Sequence, residues 1–323
     1  MLTGLGSTAF SLELDPFPDY IFSRDPVSFS FHREEKPSFY WVNIGVPDPF
    51  FKGVLQYVLG PPPNPTLYSM RSIEYGAKVD GWLTDQLQLR AAIPFAANAM
   101  LDANGNTQNV AKFGDLEIGA TYLLTGKRES GNFIGVDGWY RFASGTNPFN
   151  MDFPLLSTGR GAPGEAIGLI LGQELGGFSF FQSVHYEKTQ PITVDSSNNL
   201  FGAGIFQWPD YFHATARIDY LLFHRAQRFV RLFYELRMRE SGLMEFNRQV
   251  VTYGLSSPYG VGPTTATTDM LFFSSGGLEI RVDKEFTAQG KVTWVPFETF
   301  FTTREFRPDY GLLFSFDLTF RPI

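Results

Sequence analysis

From Leu312 to Phe320 apolar and polar positions alternate strictly. Leu312, Phe314, Phe316, Leu318 and Phe320 fall on one face, and Leu313, Ser315, Asp317 and Thr319 on the other. Side chains of a strand point alternately to opposite sides, so this segment presents one greasy, aromatic face and one mostly polar face. The same grammar recurs upstream. Ile73, Tyr75, Ala77 and Val79 alternate with Glu74, Gly76, Lys78 and Asp80, and after Leu83-Thr84-Asp85-Gln86 the apolar series resumes at Leu87, Leu89, Ala91, Ile93 and Phe95. A second hairpin sets Leu116, Ile118, Ala120 and Tyr122 before Ile134, Val136, Tyr140 and Phe142, with a turn over 126–131. Ile167, Leu169 and Leu171 lead through Gly176-Gly177 into 180–186. Phe212, Ala214, Ala216, Ile218 and Tyr220 lead into Val230, Leu232, Tyr234, Leu236 and Met238. Leu278, Ile280 and Val282 turn at Asp283-Lys284-Glu285 into Phe286, Ala288, Val292 and Trp294.

The connections carry as much information as the strands. Short turns alternate with long segments at 97–112, 144–163, 188–210, 241–270 and 297–309, rich in Asn, Gly, Pro, Ser and Thr. Outer-membrane barrels show this asymmetry, with short periplasmic turns and long external loops. A soluble β-sandwich has the alternation but not the asymmetry. The reading is therefore an all-β fold, an antiparallel up-and-down transmembrane β-barrel. A first strand over 51–59, before the one at 67–82, gives twelve strands, the even number such barrels require. Residues 27–32 and 38–46 make fourteen if they join as a further hairpin; otherwise they form a plug or periplasmic extension. The domain division expected is an N-terminal extension over 1–50 and a barrel over 51–323.

Composition agrees with strands rather than helices as the membrane-crossing elements. The chain is 16 % aromatic with 34 Phe, yet its mean hydropathy is slightly negative, as alternation requires. It contains no apolar run of the roughly twenty residues that a spanning helix needs. Met1-Leu2-Thr3-Gly4 does not begin a secretory leader, so the start reads as that of a mature or engineered chain, and the expected location is the bacterial outer membrane. The absence of Cys excludes disulfides and thiolate chemistry. A net charge of −7, with basic residues interleaved among acidic ones, argues against nucleic acid as a partner.

Two stretches resemble a known family. Tyr75-Gly76-Ala77-Lys78 through Leu83-Thr84-Asp85-Gln86-Leu87-Gln88-Leu89, and Phe113-Gly114-Asp115-Leu116-Glu117-Ile118-Gly119-Ala120-Thr121-Tyr122, are similar to the outer-membrane family named after the meta-pathway of phenol degradation. The resemblance continues through Ser157-Thr158-Gly159-Arg160-Gly161 and the glycine-spaced strand 164–175, covering roughly 73–187. It implies a relative of the long-chain fatty-acid transporters that carries small, often aromatic, hydrophobic molecules inward. Residues 1–50 hold no counterpart of those transporters' N-terminal hatch motif, which leaves the hatch mechanism outside the resemblance.

The polar faces point to a wet or charge-filled interior. Arg90, Glu117, Asp137, Arg141, Arg217, Asp219, Arg231, Glu235, Arg237, Glu279, Arg281, Lys291 and Asp317 are expected to face inward as pore-lining candidates. Most serve as mutual braces, because a narrow lumen must satisfy its own charges. Arg231, Arg237 and Arg239, on one face of one strand, are the expected selectivity element. Phe133, Trp139, Phe181 and Phe233 share the inward parity. Trp82 and Trp294 fall at strand ends, where interfacial girdles belong, although packing explains them equally. His32, His185, His213 and His224 are the four histidines, and none sits in a hydrolase-like constellation. No enzymatic activity is expected.

Asp102, Asn104 and Asn106 begin like a calcium loop, but its twelfth position is Phe113, which cannot ligate. Gly159-Arg160-Gly161 lacks the Lys-Ser/Thr of a phosphate loop and precedes a strand. No metal or cofactor is expected. The function expected is passive outer-membrane uptake of a small, hydrophobic or aromatic molecule, with lipid and solute as partners. A general porin is one alternative. The other is a structural barrel holding an envelope protein partner, for which 241–270, with Phe246, Tyr253 and Tyr259, offers a surface.

Overall fold

The computed structural model describes residues 41–45, 69–101, 107–126, 132–151, 156–195, 202–225, 228–251, 269–283, 286–295 and 311–320. The strands are β1 (Trp41–Gly45), β2 (Ser69–Trp82), β3 (Leu87–Leu101), β4 (Thr107–Phe113), β5 (Glu117–Thr125), β6 (Phe133–Arg141), β7 (Gly164–Leu175), β8 (Phe178–Thr189), β9 (Ile192–Val194) and β10 (Gly204–Gln207). They continue with β11 (Tyr211–Arg225), β12 (Arg228–Ser241), β13 (Met244–Phe246), β14 (Gln249–Val251), β15 (Asp269–Arg281), β16 (Phe286–Val295) and β17 (Gly311–Phe320). Strands of the main sheet pair antiparallel and follow one another in chain order, except where the chain ends meet. There β1 pairs with β17 on one edge and β2 on the other, and β2 pairs with β3. Successive pairings thus lead round the sheet to the starting strand. β4 and β5 both pair with β3, β4 opposite residues 95–101 and β5 opposite 87–92, and together make one stave interrupted at 114–116. Counting them once, the sheet has the expected twelve staves.

The burial pattern is inverted relative to a soluble protein. Ile93, Ile118, Tyr122, Leu169, Val184, Tyr234 and Leu236 are exposed, whereas Arg90, Asp137, Arg141, Glu187, Arg217 and Glu279 are buried. In water an apolar belt of this extent would drive association; against lipid it is the required exterior. The parity read from the sequence holds along β11 and β12: odd positions such as His213, Arg217, Arg231 and Glu235 are buried and even positions such as Phe212, Tyr220, Leu232 and Tyr234 are exposed.

Several expectations change. The first stave comes from 41–45, inside the 38–46 stretch that the pattern leaves between hairpin and plug. A strand has only two edges, and both edges of β1 are used; the strand expected over 51–59 lies outside the described residues. The segment 97–112 is a strand hairpin for most of its length, with Leu101 paired to Thr107. Segments 188–210 and 241–270 contribute β9, β10, β13 and β14 to a separate four-stranded sheet at the long-loop end. Trp82 is buried against Leu123, Phe133, Ile170 and Phe181 instead of standing in a girdle. The side chain of Trp294 and residues 102–106 and 252–268 lie outside the described part.

Candidate channel lumen

Large interior side chains occur beside inward glycines. Phe133 pairs in register with Gly172, and a Cβ on Gly172 would collide with the Phe133 ring. Phe233 lies opposite Gly277, His185 opposite Gly168 and Arg90 opposite Gly119. Each glycine therefore vacates wall space for a side chain that leans across from its neighbour. At the short-turn end this produces the buried cluster of Trp82, Leu123, Phe133, Ile170 and Phe181.

One layer above, Arg90 donates through Nη2 to Asp137 Oδ2 at 2.6 Å and through Nη1 to Thr121 Oγ1 at 2.8 Å. Thr121 donates in turn to the other oxygen of Asp137. His185 Nε2 lies 3.1 Å from Asp137 Oδ2, with its ring 4.9 Å from that of Trp139. Removing one member of such a set would strand a buried charge, so the group acts as a brace.

Higher still, Glu187 gathers three groups. Arg141 pairs with it, Arg160 Nη1 stands 3.5 Å from Oε1, and His213 Nε2 is 3.2 Å from Oε2. Arg160 also lies over the Tyr211 ring at 4.6 Å. Arg160 belongs to no strand. It is carried into the lumen by residues 156–161, which lie along the inner wall. Asn98 on β3 donates to the carbonyls of Leu156 and Ser157 at 2.9 and 3.1 Å, and Thr158 donates to the carbonyl of Phe113 at 2.7 Å. Asp115, at the interruption of the β4/β5 stave, accepts the backbone amides of Gly145 at 2.8 Å and Arg160 at 2.9 Å, one on each oxygen. At the far end Trp208 Nε1 donates to the Arg160 carbonyl at 3.1 Å, and Trp208 packs with Phe206 and Phe149.

The opposite wall, β11 to β16, interleaves cations with aromatic rings. Arg217 lies over Phe233 at 4.0 Å while bonding Asp219 at 2.7 Å; Arg231 lies over Phe229 at 4.9 Å and 3.7 Å from Glu279. Arg237 pairs with Glu235, and Arg239 stands over Tyr211 and Phe273 at 5.6 and 6.0 Å.

Of the residues expected inside, Arg90, Glu117, Asp137, Arg141, Arg217, Asp219, Arg231, Glu235, Arg237, Glu279 and Lys291 are buried. Arg281 is less enclosed: at the short-turn end its Nε donates to the Asp283 carbonyl at 3.1 Å. Asp317 pairs through its backbone with Trp41 and Gln289, and its side chain lies outside the described part. They form no single centre but separate sets on facing walls. Sequence reasoning missed Asp115, Arg160 and Glu187 as site residues. Glu187 has the inward parity of His185, but the alternation over 180–186 stops one residue short of it. Arg160 sits in a glycine-flanked loop that gives no periodic signal.

No family model matches the chain, and no curated protein matches it. Solved structures do. The COG4313 outer membrane channel from Pseudomonas putida F1 superposes with a TM-score of 0.58 over 88 % of this chain and 96 % of that one, at 12 % identity. The β-domain of the Bordetella autotransporter BrkA aligns over 90 % of this chain and 100 % of that one, with TM-score 0.47 and 9 % identity. The chain has the fold of an outer-membrane β-barrel. At that identity the likeness to the channel concerns the fold, and the chemistry must be argued from the lumen.

Proposed function

We propose that this barrel is an outer-membrane channel for passive uptake of small hydrophobic or aromatic molecules. The supporting observation is the composition of its interior. Charged side chains are largely matched to one another, as in Arg90 with Asp137 and Arg217 with Asp219, and between them stand buried Phe133, Trp139, Phe181, Phe229 and Phe233. A wide general porin of about 16–18 strands keeps an aqueous channel, whereas the smaller interior of this barrel is occupied by buried charged and aromatic side chains. Aromatic walls favour a planar apolar solute, and the guanidinium groups of Arg217 and Arg231 are drawn to ring faces of that wall. The fold shared with an outer membrane channel supports the channel part of this reading.

The test is uptake of a radiolabelled monocyclic aromatic whose charge keeps it from crossing lipid unaided, such as benzoate at neutral pH, by proteoliposomes, with single-channel conductance measured on the same preparation. The expected result is uptake above empty liposomes together with low conductance. Uptake equal to empty liposomes with large, steady conductance would replace this reading with a general porin. Loss of both would favour a barrel that only holds a partner.

A further inference from the structure

We infer that residues 156–161 form a strap narrowing the long-loop mouth of the lumen, and that Asp115 is the positioning residue that latches it to the wall. The inference rests on the channel reading but concerns the limiting aperture, not the solute. Three independent observations carry it.

First, the strap is anchored at several points along its course. Asn98 holds 156 and 157, Thr158 holds the Phe113 carbonyl, Asp115 holds the amide of 160, and Trp208 holds the carbonyl of the same residue. Its residues Leu156, Ser157, Thr158 and Arg160 are buried, so it lies against the wall and not in open solvent.

Second, the wall is interrupted to receive it. The stave opposite β3 is continuous except at Gly114, Asp115 and Leu116. A Cβ on Gly114 would come within 3.0 Å of the Thr158 carbonyl oxygen, and one on Gly159 would collide with Asp115 Oδ1. An interruption of a barrel strand gives up ladder hydrogen bonds, and such irregularities re-aim side chains. Here it turns a carboxylate onto two backbone amides of the returning chain. A carboxylate accepting two N–H groups makes charge-assisted bonds, stronger than neutral ones.

Third, the strap delivers a charge across the mouth. Arg160 reaches from its anchor beside β5 to Glu187 on β8 and Tyr211 on β11. A side chain so placed stands in the way of any solute descending along that half of the barrel.

The chain contains no cysteine, so a disulfide can be introduced without competition. The experiment uses the full-length barrel carrying Asp115→Cys and Gly159→Cys in planar bilayers and proteoliposomes. Oxidised, the bond replaces the carboxylate as tether; reduced, the strap has lost its latch. Reduction is expected to raise conductance several-fold and reoxidation to reverse the change, with the wild type indifferent to both. Asn98→Ala, which releases the other end, should raise conductance without any redox dependence. Heat-modifiable migration confirms folding of each variant. Equal conductance of both redox states, with the disulfide verified by mass spectrometry, overturns the strap. The channel reading fails separately: wild-type liposomes that take up no aromatic solute reject it, whereas redox-dependent conductance in the variant upholds the strap in either case.

Discussion

At the residue scale the lumen is shaped by pairs of unequal size. The large member can be polar or apolar: Arg90 leans over Gly119 as Phe133 leans over Gly172. The three atoms nearest to where a Cβ on Gly172 would stand all belong to the Phe133 ring, so Gly172→Ala forces that ring from its place. Overpacking of this kind costs about 1–3 kcal/mol. If the neighbour relation is the cause, Phe133→Leu should recover much of the loss, because coupled contacts are not additive. The measurement is urea unfolding of the four members of the double-mutant cycle in micelles. Strictly additive changes would show that the glycine is required for another reason.

At the scale of strands, the outward stripe and the inward stripe make opposite demands on the same segment. Leu169 lies midway along β7 and Leu175 ends it at the short-turn rim, both exposed. Placing Arg at the centre of the lipid belt costs about 2–4 kcal/mol, falling to roughly 0–1 kcal/mol near the interface. Leu169→Arg should therefore reduce the folded fraction in liposomes, read as heat-modifiable migration, far more than Leu175→Arg. Equal assembly would mean that β7 does not cross the bilayer where its burial pattern places it. This strand logic explains how far the sequence was legible. Period-two alternation revealed that Arg90, Asp137, Phe181 and Phe233 share the interior, because parity is a local property of one strand. The latch was not legible, since Asp115 continues the inward parity of Glu117 and nothing local announces that its partners lie 30 and 45 residues away. β4 was lost for a different reason. β4 carries exposed residues on both faces, and without a lipid face there is no alternation to read.

For the molecule as a whole, the closing seam runs through β1, the shortest described strand of the main sheet. Among the described residues β11 and β12 pair from Tyr211 with Ser241 to Arg225 with Arg228, while β1 meets β17 from Trp41 with Asp317 to Ile44 with Phe314, and β2 from Trp41 with Gly76 to Gly45 with Ser72. The identity of this stave was hidden for the same physical reason that makes it weak: five residues carry little pattern, and their place is decided by two partners, one of them far along the chain. A barrel avoids free edges only while every stave is paired. Opening should therefore begin at β1, where among the described residues fewest ladder bonds of the main sheet must break. Hydrogen exchange in micelles should show amides of 314–317 and 72–76 exchanging faster than those of 213–219 and 231–237. Asn43→Pro, which removes a donor from a strand paired on both edges, should lower the temperature at which the barrel loses its compact migration. It should do so without changing how the β11–β12 amides exchange below that temperature. Uniform protection around the ring, or a proline that leaves the transition unmoved, would show that closure does not depend on residues 41–45.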